Sequence, residues 1–397
     1  MSIRKRLPNS FGERRRWAKR TEQMPIDMVS ASKVFSTRIL DLSAPAAAVN
    51  VDANPLVGRF ASILDSGTVS WTAHYRLLKR LGAGGQGVVF QAEWLGAHNA
   101  RWPVAVKVFS PQPFATVDDY HDEMERLSRV ATRLAKIQHD NLIDVHNVME
   151  CDGVSLMVME YVDGFDLQRL LEPDTLRRIQ SRVTADRWAY LNDVVITTGP
   201  VHSRLKPGMA IAILRECLAG LAATHRAGVI HGDLKPANIM LKRTGNAKLI
   251  DFGSAFLIKE PASRRTWTPR YAGVEVLLGG ECQTTSDLAS LGYVLVELLI
   301  GRPLFGKVES YADLIQAKTK LPDELHALLP DGFAEDDVLV RLIHRLIHPE
   351  PLARFPSAEA ADLTEDFGAA AFQRHLVKGD LSVEYENEIR LWLRELD

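Results

Sequence analysis

Residues 231–238 read His-Gly-Asp-Leu-Lys-Pro-Ala-Asn, and a second cluster, Asp-Phe-Gly, follows at residues 251–253. Together they offer the groups that phosphoryl transfer to a hydroxyl requires. Asp233 can accept the hydroxyl proton, and Lys235 can neutralise charge on the group in transfer. Asn238 and Asp251 offer hard oxygen ligands for magnesium. Few other reactions need this combination, so the two clusters predict a phosphotransferase site.

A glycine-rich stretch lies upstream and reads Leu-Gly-Ala-Gly-Gly-Gln-Gly-Val-Val at residues 81–89. Alone, this pattern also suits a dinucleotide-binding fold, but that fold requires a helix after the last glycine. Here β-branched and aromatic residues follow, so the pattern predicts a turn between two strands whose bare backbone can close over phosphates. The glycines of the pattern are Gly82, Gly84 and Gly87.

A Val-Ala-Val-Lys stretch follows in a predicted third strand and ends at Lys107, which can reach the phosphates of a nucleotide beneath the glycine loop. A helix carboxylate usually holds such a lysine, and a helix predicted over residues 117–138 offers two. Glu123 lies beside the apolar stripe of that helix, whereas Glu125 is followed by polar residues at the same spacing. We therefore expect Glu123, rather than Glu125, to pair with Lys107.

Taken in order, these motifs and the Ser-Asp-Leu-Ala-Ser-Leu-Gly stretch at residues 286–292 resemble a eukaryotic-type serine/threonine protein kinase. The resemblance covers residues 75–370. It implies an α+β fold of two lobes: an N-lobe, residues 75–161, with an antiparallel β-sheet and one main helix, and a mainly α-helical C-lobe, residues 162–370. It also implies ATP-dependent phosphorylation of a protein substrate on serine or threonine, with ATP and Mg²⁺ as cofactors.

The resemblance further implies a role for each motif residue. Asp233 would be the catalytic base, and Lys235 would contact the phosphoryl group in transfer. Asn238 and Asp251 would hold magnesium, and Lys107 would contact the α- and β-phosphates.

An adenine pocket follows from the same resemblance. The Met-Glu-Tyr-Val stretch at residues 159–162 looks like the hinge between the lobes. The backbone of Glu160 and Val162 would bond the adenine edge, and Met159 would guard the pocket behind it. The residues expected to sandwich the base are Val89, Ala105 and Met240.

Two departures from the family pattern carry expectations of their own. Gly232 stands where most of the family has an arginine that gathers a phosphorylated activation loop, so we expect activity not to depend on loop phosphorylation. The usual Ala-Pro-Glu is reduced to a glutamate, Glu275. Arg354 matches the arginine that pairs with that glutamate in the family, which predicts a structural ion pair.

Two other functions remain open. Small-molecule phosphotransferases of the aminoglycoside and choline kinase type share the His-Gly-Asp-Leu sequence, which would explain Gly232, but they do not explain Lys235 or the Asp-Phe-Gly triplet. A pseudokinase scaffold would lack a reactive group. Lys107, Asp233, Asn238 and Asp251 are all present, so catalysis is expected.

Three segments lie outside the motifs. Residues 1–74 form a basic leader that we expect to be a partly disordered tail, with a transit peptide, a docking arm or a nucleic-acid contact as alternatives. Residues 173–207 have mixed charge and are predicted to be an insertion on the surface of the C-lobe. Residues 371–397 form an amphipathic helical tail, which we expect to dock back on the domain.

Composition bounds the class of protein. The 397 residues carry a formal net charge of −2, so no bulk attraction to polyanions is expected. The three cysteines have no metal-binding spacing, which favours a reducing, cytoplasmic location. No apolar run is long enough for us to expect a membrane span. The sequence leaves the oligomeric state open.

Overall fold

The computed structural model describes residues 38–41, 54–70, 74–260, 264–330, 332–378 and 385–396. The strands of these residues are β1 (Arg38–Asp41), β2 (Thr68–Ser70), β3 (His74–Gly84), β4 (Gly87–Leu95), β5 (Arg101–Phe109), β6 (Val145–Cys151), β7 (Val154–Glu160), β8 (Gly164–Asp166), β9 (Ile196–Thr198), β10 (Ser203–Leu205), β11 (Val229–Ile230), β12 (Ile239–Lys242), β13 (Ala247–Leu249), β14 (Phe256–Leu257) and β15 (Arg264–Trp267).

The helices of the same residues are α1 (Pro55–Ser66), α2 (Val117–Leu134), α3 (Leu167–Leu171), α4 (Pro173–Gln180), α5 (Ala185–Tyr190), α6 (Pro207–Arg226), α7 (Val274–Leu277), α8 (Thr284–Ile300), α9 (Tyr311–Leu328), α10 (Asp337–Ile347), α11 (Ala358–Leu363), α12 (Ala369–Lys378) and α13 (Tyr385–Arg394). A π-helical turn at Leu191–Val195 follows α5.

The N-lobe is an antiparallel sheet with the strand order β2-β3-β4-β5-β7-β6. Successive side chains of a strand point to opposite faces. In β5, Val104, Val106 and Val108 pack into an apolar cluster on the outer face, whereas Ala105 belongs to the main core on the other face. Lys107, two residues after Ala105, therefore lies on the inner face. The predicted glycine turn and third strand are confirmed.

Helix α2 packs on that inner face. It begins with a capping box, in which the hydroxyl of Thr116 accepts from the backbone N–H of Asp119 and the carboxylate of Asp119 accepts from the N–H of Thr116. Its apolar stripe is buried as predicted, including Met124, Leu127 and Leu134. The helix ends four residues before the predicted end, because the next backbone N–H groups turn back to carbonyls of its last turn.

The C-lobe is built around α6 and α8. The pattern of α8 is apolar nearly all round, and the helix is buried from Ser286 to Ile300. Among the described helices, α6 is long and apolar enough to cross a membrane, but 67% of its most apolar window is buried inside the fold. Residues 358–378 form two helices, α11 and α12. They are separated at Gly368, where a Cβ atom would lie 2.6 Å from the carbonyl oxygen of Asp362.

The leader prediction is wrong for residues 54–70. Asn54 caps α1 by accepting from the N–H of Leu56, and α1 buries Phe60 and Ile63 against the outer face of the sheet. Burial of these side chains offsets the entropy lost on ordering the segment. Further upstream, β1 pairs antiparallel with β15, with Ile39 opposite Thr266. The predicted disorder of residues 1–37, 42–53 and 71–73 lies outside the described residues.

The predicted surface insertion is also wrong, since residues 173–207 contribute to the main core. Ile179, Leu191, Val195 and Ile196 are fully buried. Their spacing suits α4, the π-helical turn and the β9–β10 hairpin, so the segment presents an apolar side to α6 and the mixed charges to solvent.

The terminal helix docks back on the domain, as predicted. In α13, Ile389, Trp392 and Leu393 are buried in the main core. Two ion pairs join this segment to α5: Arg187 binds Glu388 of α13 at 3.1 Å and Glu395, just after the helix, at 2.7 Å. Residues 173–207 and the terminal segment with α13 thus stabilise one another.

Candidate active site

Asp233 lies in the loop between β11 and β12 and is 6% exposed. We call the space between this loop and the inner face of the N-lobe sheet the cleft. One carboxylate oxygen accepts from Nζ of Lys235 at 2.6 Å, and the other accepts from the backbone N–H of Thr268 at 2.7 Å. Lys235 also donates to the hydroxyl of Thr268 at 3.1 Å. The structure therefore brings Asp233 and Lys235 together with the loop that follows β15.

The backbone of the loop between β11 and β12 is held by Asp287 of α8. Its carboxylate accepts from the N–H groups of His231 and Gly232, both at 2.9 Å, and from Nε2 of His225 at 2.8 Å. Burial raises the pKa of Asp287, but the hydrogen bond and charge of His225 outweigh burial, and the pKa is lowered. Gly232 has a φ of +76°, which glycine adopts without strain. The ring of His231 packs 4.7 Å from that of Phe252.

Lys107 and Asp251 form an ion pair across the cleft, with 2.5 Å between Nζ and Oδ1. Lys107 is almost fully buried, whereas 36% of the Asp251 side chain is exposed. Burial opposes ionisation of Asp251, but the charge and hydrogen bond of Lys107 lower its pKa to about 2. Asp251 is therefore a carboxylate at any physiological pH.

The two predicted metal ligands fit a hard divalent cation. Asn238 uses its amide nitrogen to donate to the carbonyl oxygen of Asp233 at 2.7 Å, which leaves its amide oxygen as the donor atom for a metal. The ionised Asp251 adds an anionic oxygen. An amide oxygen and a carboxylate are ligands that Mg²⁺ accepts while keeping several waters.

The expected pair between Glu123 and Lys107 is not formed in this structure. Glu123 instead accepts two hydrogen bonds from Arg126, at 2.6 and 2.8 Å, and Arg126 also donates to the carbonyl oxygen of Ala255 at 2.6 Å. Arg126 is one turn further along the same helix, so it reaches the carboxylate without any movement of α2. Lys107 is already neutralised by Asp251. The alternative residue, Glu125, binds Arg129 on the exposed side.

The glycine loop is the hairpin turn between β3 and β4, where Gly84 lies opposite Gly87. A Cβ atom added to Gly82 or Gly84 would meet no atom within 4 Å, so both glycines border open space. At Gly87, φ is +145° and a Cβ atom would lie 2.0 Å from the carbonyl oxygen of Val108. Only glycine fits there.

The predicted adenine-pocket residues lie on β4, β5 and β12 and at the end of β7. Met159 is buried and pairs directly with Ala105 across β5 and β7, while Val162 is buried just beyond the strand. Val89 and Met240 are partly buried against the same core. Glu160 uses its N–H on the carbonyl of Asp144 at 2.9 Å, and its side chain binds Lys248.

Sequence reasoning missed Gln86, the polar residue of the glycine loop. Its amide oxygen accepts from Nζ of Lys107 at 2.9 Å. Its amide nitrogen lies 2.8 Å from the hydroxyl oxygens of both Ser254 and Thr266. One side chain thus links the glycine loop, the buried lysine and the segment after the Asp-Phe-Gly triplet. A glutamine in a turn gives no pattern that predicts such partners.

The predicted structural ion pair between Glu275 and Arg354 is present. The two nitrogens of the guanidinium donate to the two carboxylate oxygens at 2.8 and 2.7 Å, and the Arg354 side chain has no exposed surface. Because Glu275 lies on α7 and Arg354 follows α10, the pair ties α7 to the segment after α10.

Comparison with known proteins bears on the family and the fold. The protein kinase domain family matches residues 75–364. Serine/threonine-protein kinase PknD of Mycobacterium tuberculosis is 30% identical over 291 residues, 72% of this chain and 38% of the relative. PrkC of Bacillus subtilis, also a serine/threonine-protein kinase, is 26% identical over 307 residues, 75% of this chain and 41% of the relative. The chain thus spans about two fifths of the length of these relatives.

A solved structure supports the fold. The crystal structure of a point mutant of the Mycobacterium tuberculosis PknI kinase domain aligns with a TM-score of 0.50 and 22% identity, over 78% of this chain and 98% of that one. The predicted two-lobed α+β fold is therefore confirmed.

Proposed function

Because the chain belongs to the protein kinase domain family, we propose that it is an ATP-dependent serine/threonine protein kinase that transfers the γ-phosphoryl group to a hydroxyl of a protein substrate. The observation that carries the proposal is the position of Asp233, whose carboxylate is held between Lys235 and the loop at Thr268. A carboxylate fixed in this way can orient and deprotonate an attacking hydroxyl.

The proposal gives each of the surrounding residues a role that suits its contacts. Asp233 would accept the proton of the substrate hydroxyl, and the ammonium of Lys235, 2.6 Å away, would offset the charge on the phosphoryl group in transfer. Lys107 would bind the α- and β-phosphates under the glycine loop. Asn238 and Asp251 would hold magnesium, which when bound supplies positive charge that offsets the charge of the phosphates.

We propose that Glu160 and Val162 bond the adenine edge through their backbone, and that Val89, Ala105 and Met240 pack on the base. In the catalytic arrangement Glu123 would leave Arg126 and pair with Lys107. The residues that we expect to close over the nucleotide are Gly82, Gly84, Gly87 and Met159.

Three finer properties are part of the proposal. Activity would not depend on activation-loop phosphorylation, because Gly232 offers no side chain to bind the phosphate. Serine and threonine side chains of proteins would be the acceptors, in line with the names of the two relatives. A cytoplasmic location is supported by the three cysteines, all of which are free thiols in the described part of the chain.

A kinase assay with labelled ATP, magnesium and generic protein substrates tests the proposal. We expect label on protein, and we expect Asp233→Ala to lower the turnover number by about 10²–10⁴-fold while nucleotide binding persists, because only the general base is lost. Asp323→Ala serves as the control, since Asp323 is an exposed aspartate on α9.

Three results would contradict the proposal. Label that appears only on a small metabolite would favour a small-molecule phosphotransferase. Equal phosphorylation by the Asp233→Ala variant and the wild type would remove Asp233 from the role of base. Nucleotide binding without any phosphorylation in the wild type would favour a pseudokinase scaffold.

A further inference from the structure

Gln86 occupies an unusual position for a residue of a phosphate-binding loop, because its side chain points at the groups that would bind the nucleotide. Its amide oxygen accepts from Lys107, the residue proposed to hold the α- and β-phosphates. Nζ of Lys107 has three N–H donors, and Gln86 and Asp251 already accept from two of them, so phosphates that take more than one donor have to replace one of these partners. Lys107 is 5% exposed on its side chain, so solvent offers it few alternative partners.

The other end of the Gln86 side chain is fixed as well. Its amide nitrogen lies 2.8 Å from the hydroxyl oxygens of Ser254 and Thr266, and these two oxygens are 2.6 Å apart. Thr266 lies in β15, which pairs with β1 of the leader, so backbone hydrogen bonds support its position. We call the group of Gln86, Lys107, Ser254 and Thr266 the clamp.

The clamp also crowds the Asp-Phe-Gly triplet. A Cβ atom built on Gly253 would lie 2.1 Å from the amide oxygen of Gln86 and 2.5 Å from Nζ of Lys107. The space next to the proposed metal ligand Asp251 is therefore filled by the chain itself. A nucleotide whose phosphates reach Lys107 has to displace Gln86 from this space.

We propose that Gln86 is a residue that sets nucleotide affinity, because its amide competes with the phosphates of ATP for Lys107. The inference rests on the proposed function of the same site. Nucleotide binds only to molecules in which the clamp is open, so the apparent affinity is reduced in proportion to the fraction of such molecules. Any change that weakens the clamp therefore strengthens nucleotide binding. Nucleotide, rather than a phosphate on the activation loop, then opens the site.

Binding of a non-hydrolysable ATP analogue with Mg²⁺ to the full chain, measured by titration calorimetry, tests this inference. Loss of one net hydrogen bond changes an equilibrium constant by roughly five-fold. We expect Gln86→Ala and Thr266→Val each to lower the Kd by about five-fold. The double variant should gain less than the product of the two, because both changes open the same clamp.

Thr266→Val separates competition from direct contact. If Gln86 instead donates to the phosphates of the bound nucleotide, Gln86→Ala weakens binding and Thr266→Val leaves it unchanged, which would overturn the inference. Gln316→Ala, at an exposed glutamine of α9, is the matched control and should bind as the wild type does. Thermal unfolding of each variant verifies that it is folded.

Lys107→Met distinguishes failure of this inference from failure of the proposed function. Binding in Lys107→Met that is as tight as in the wild type means that Lys107 does not hold the phosphates, which overturns the clamp. No binding of the analogue by any variant, the wild type included, means that both proposals fall. Binding that Lys107→Met weakens but that is equal in the wild type, Gln86→Ala and Thr266→Val preserves the proposed function and overturns the clamp.

Discussion

Replacing Arg354 by methionine should destabilise the C-lobe strongly, because it leaves the carboxylate of Glu275 buried without its cation. The guanidinium makes two hydrogen bonds to that carboxylate and also donates to the carbonyl oxygens of His348 at 2.7 Å and Thr285 at 2.9 Å. After the change, the hydroxyl of Ser286 remains as a donor to Glu275. Removing one partner of a buried pair costs about 3–5 kcal/mol of unfolding free energy.

Urea denaturation followed by circular dichroism measures this cost. Glu275→Gln alone should be destabilising too, and the double variant should cost at least about 2 kcal/mol less than the sum of the singles, because no charge is left unpaired. Arg226→Met is the control: its pair with Glu359 is largely exposed, and its loss should cost about 1 kcal/mol or less. Additive single costs would refute the reasoning.

The same pair predicts a dependence on pH. Burial raises the pKa of Glu275, but the hydrogen bonds and charge of Arg354 outweigh burial, and the pKa is lowered in the folded protein. The resulting stabilisation is present above the ordinary pKa of a glutamate and is lost as the pH falls through the lowered value. The stability difference between wild type and Arg354→Met should therefore shrink from about pH 7 to below about pH 4. A constant difference would contradict this assignment.

Three further predictions concern other parts of the molecule. Gly232→Ala and Gly228→Ala both place a side chain at a φ of +76°, but only at Gly232 would the Cβ atom meet a carbonyl oxygen, at 3.2 Å. Urea denaturation should therefore show the larger loss of unfolding free energy for Gly232→Ala, about 1–3 kcal/mol. Trp392→Ala should cost about 3–5 kcal/mol because Trp392 is fully buried, whereas Trp94→Ala, at a tryptophan that is 39% exposed, should cost less; equal losses would argue against docking of α13. Arg126→Met should free the carboxylate of Glu123 to pair with Lys107 and raise kcat/KM by roughly five-fold, the equivalent of one net hydrogen bond. A lower kcat/KM in the folded variant would contradict the proposed move of Glu123 from Arg126 to Lys107.

The elements that the sequence predicted well are those with a strong local signal. The glycine turn and the strands beside it follow from β-branched residues around glycines, and α10 has the same kind of local signal, since its apolar residues recur at helical spacing. The sequence also places Asp233 and Lys235 two residues apart in one motif, and the structure joins their side chains at 2.6 Å, but no sequence signal indicated the contact between Asp233 and the backbone of Thr268.

The errors have physical causes. Helix α1 begins with Asn54 and Pro55, a recognisable start signal, but the alanine-rich stretch before it favoured disorder. The segment 173–207 has mixed charge on one side only, and periodicity alone does not say which helix its apolar side meets. The partner of Glu123 depends on the state of the cleft: Arg126 and Lys107 can both reach such a carboxylate, and a sequence does not record which bond is made in which state.

The packing of α1 and α13 bears on how the protein can be dissected. Residues 75–364, the part matched by the family, exclude Phe60 and Ile63 on one side and Trp392 on the other. A fragment cut at those limits would expose the outer face of the sheet and the groove beside α6 to water. Such exposed apolar surfaces promote aggregation. The unit to express and crystallise is residues 38–396, which keeps β1 beside β15 as well, so the homologous region and the packed structure have different boundaries in this chain.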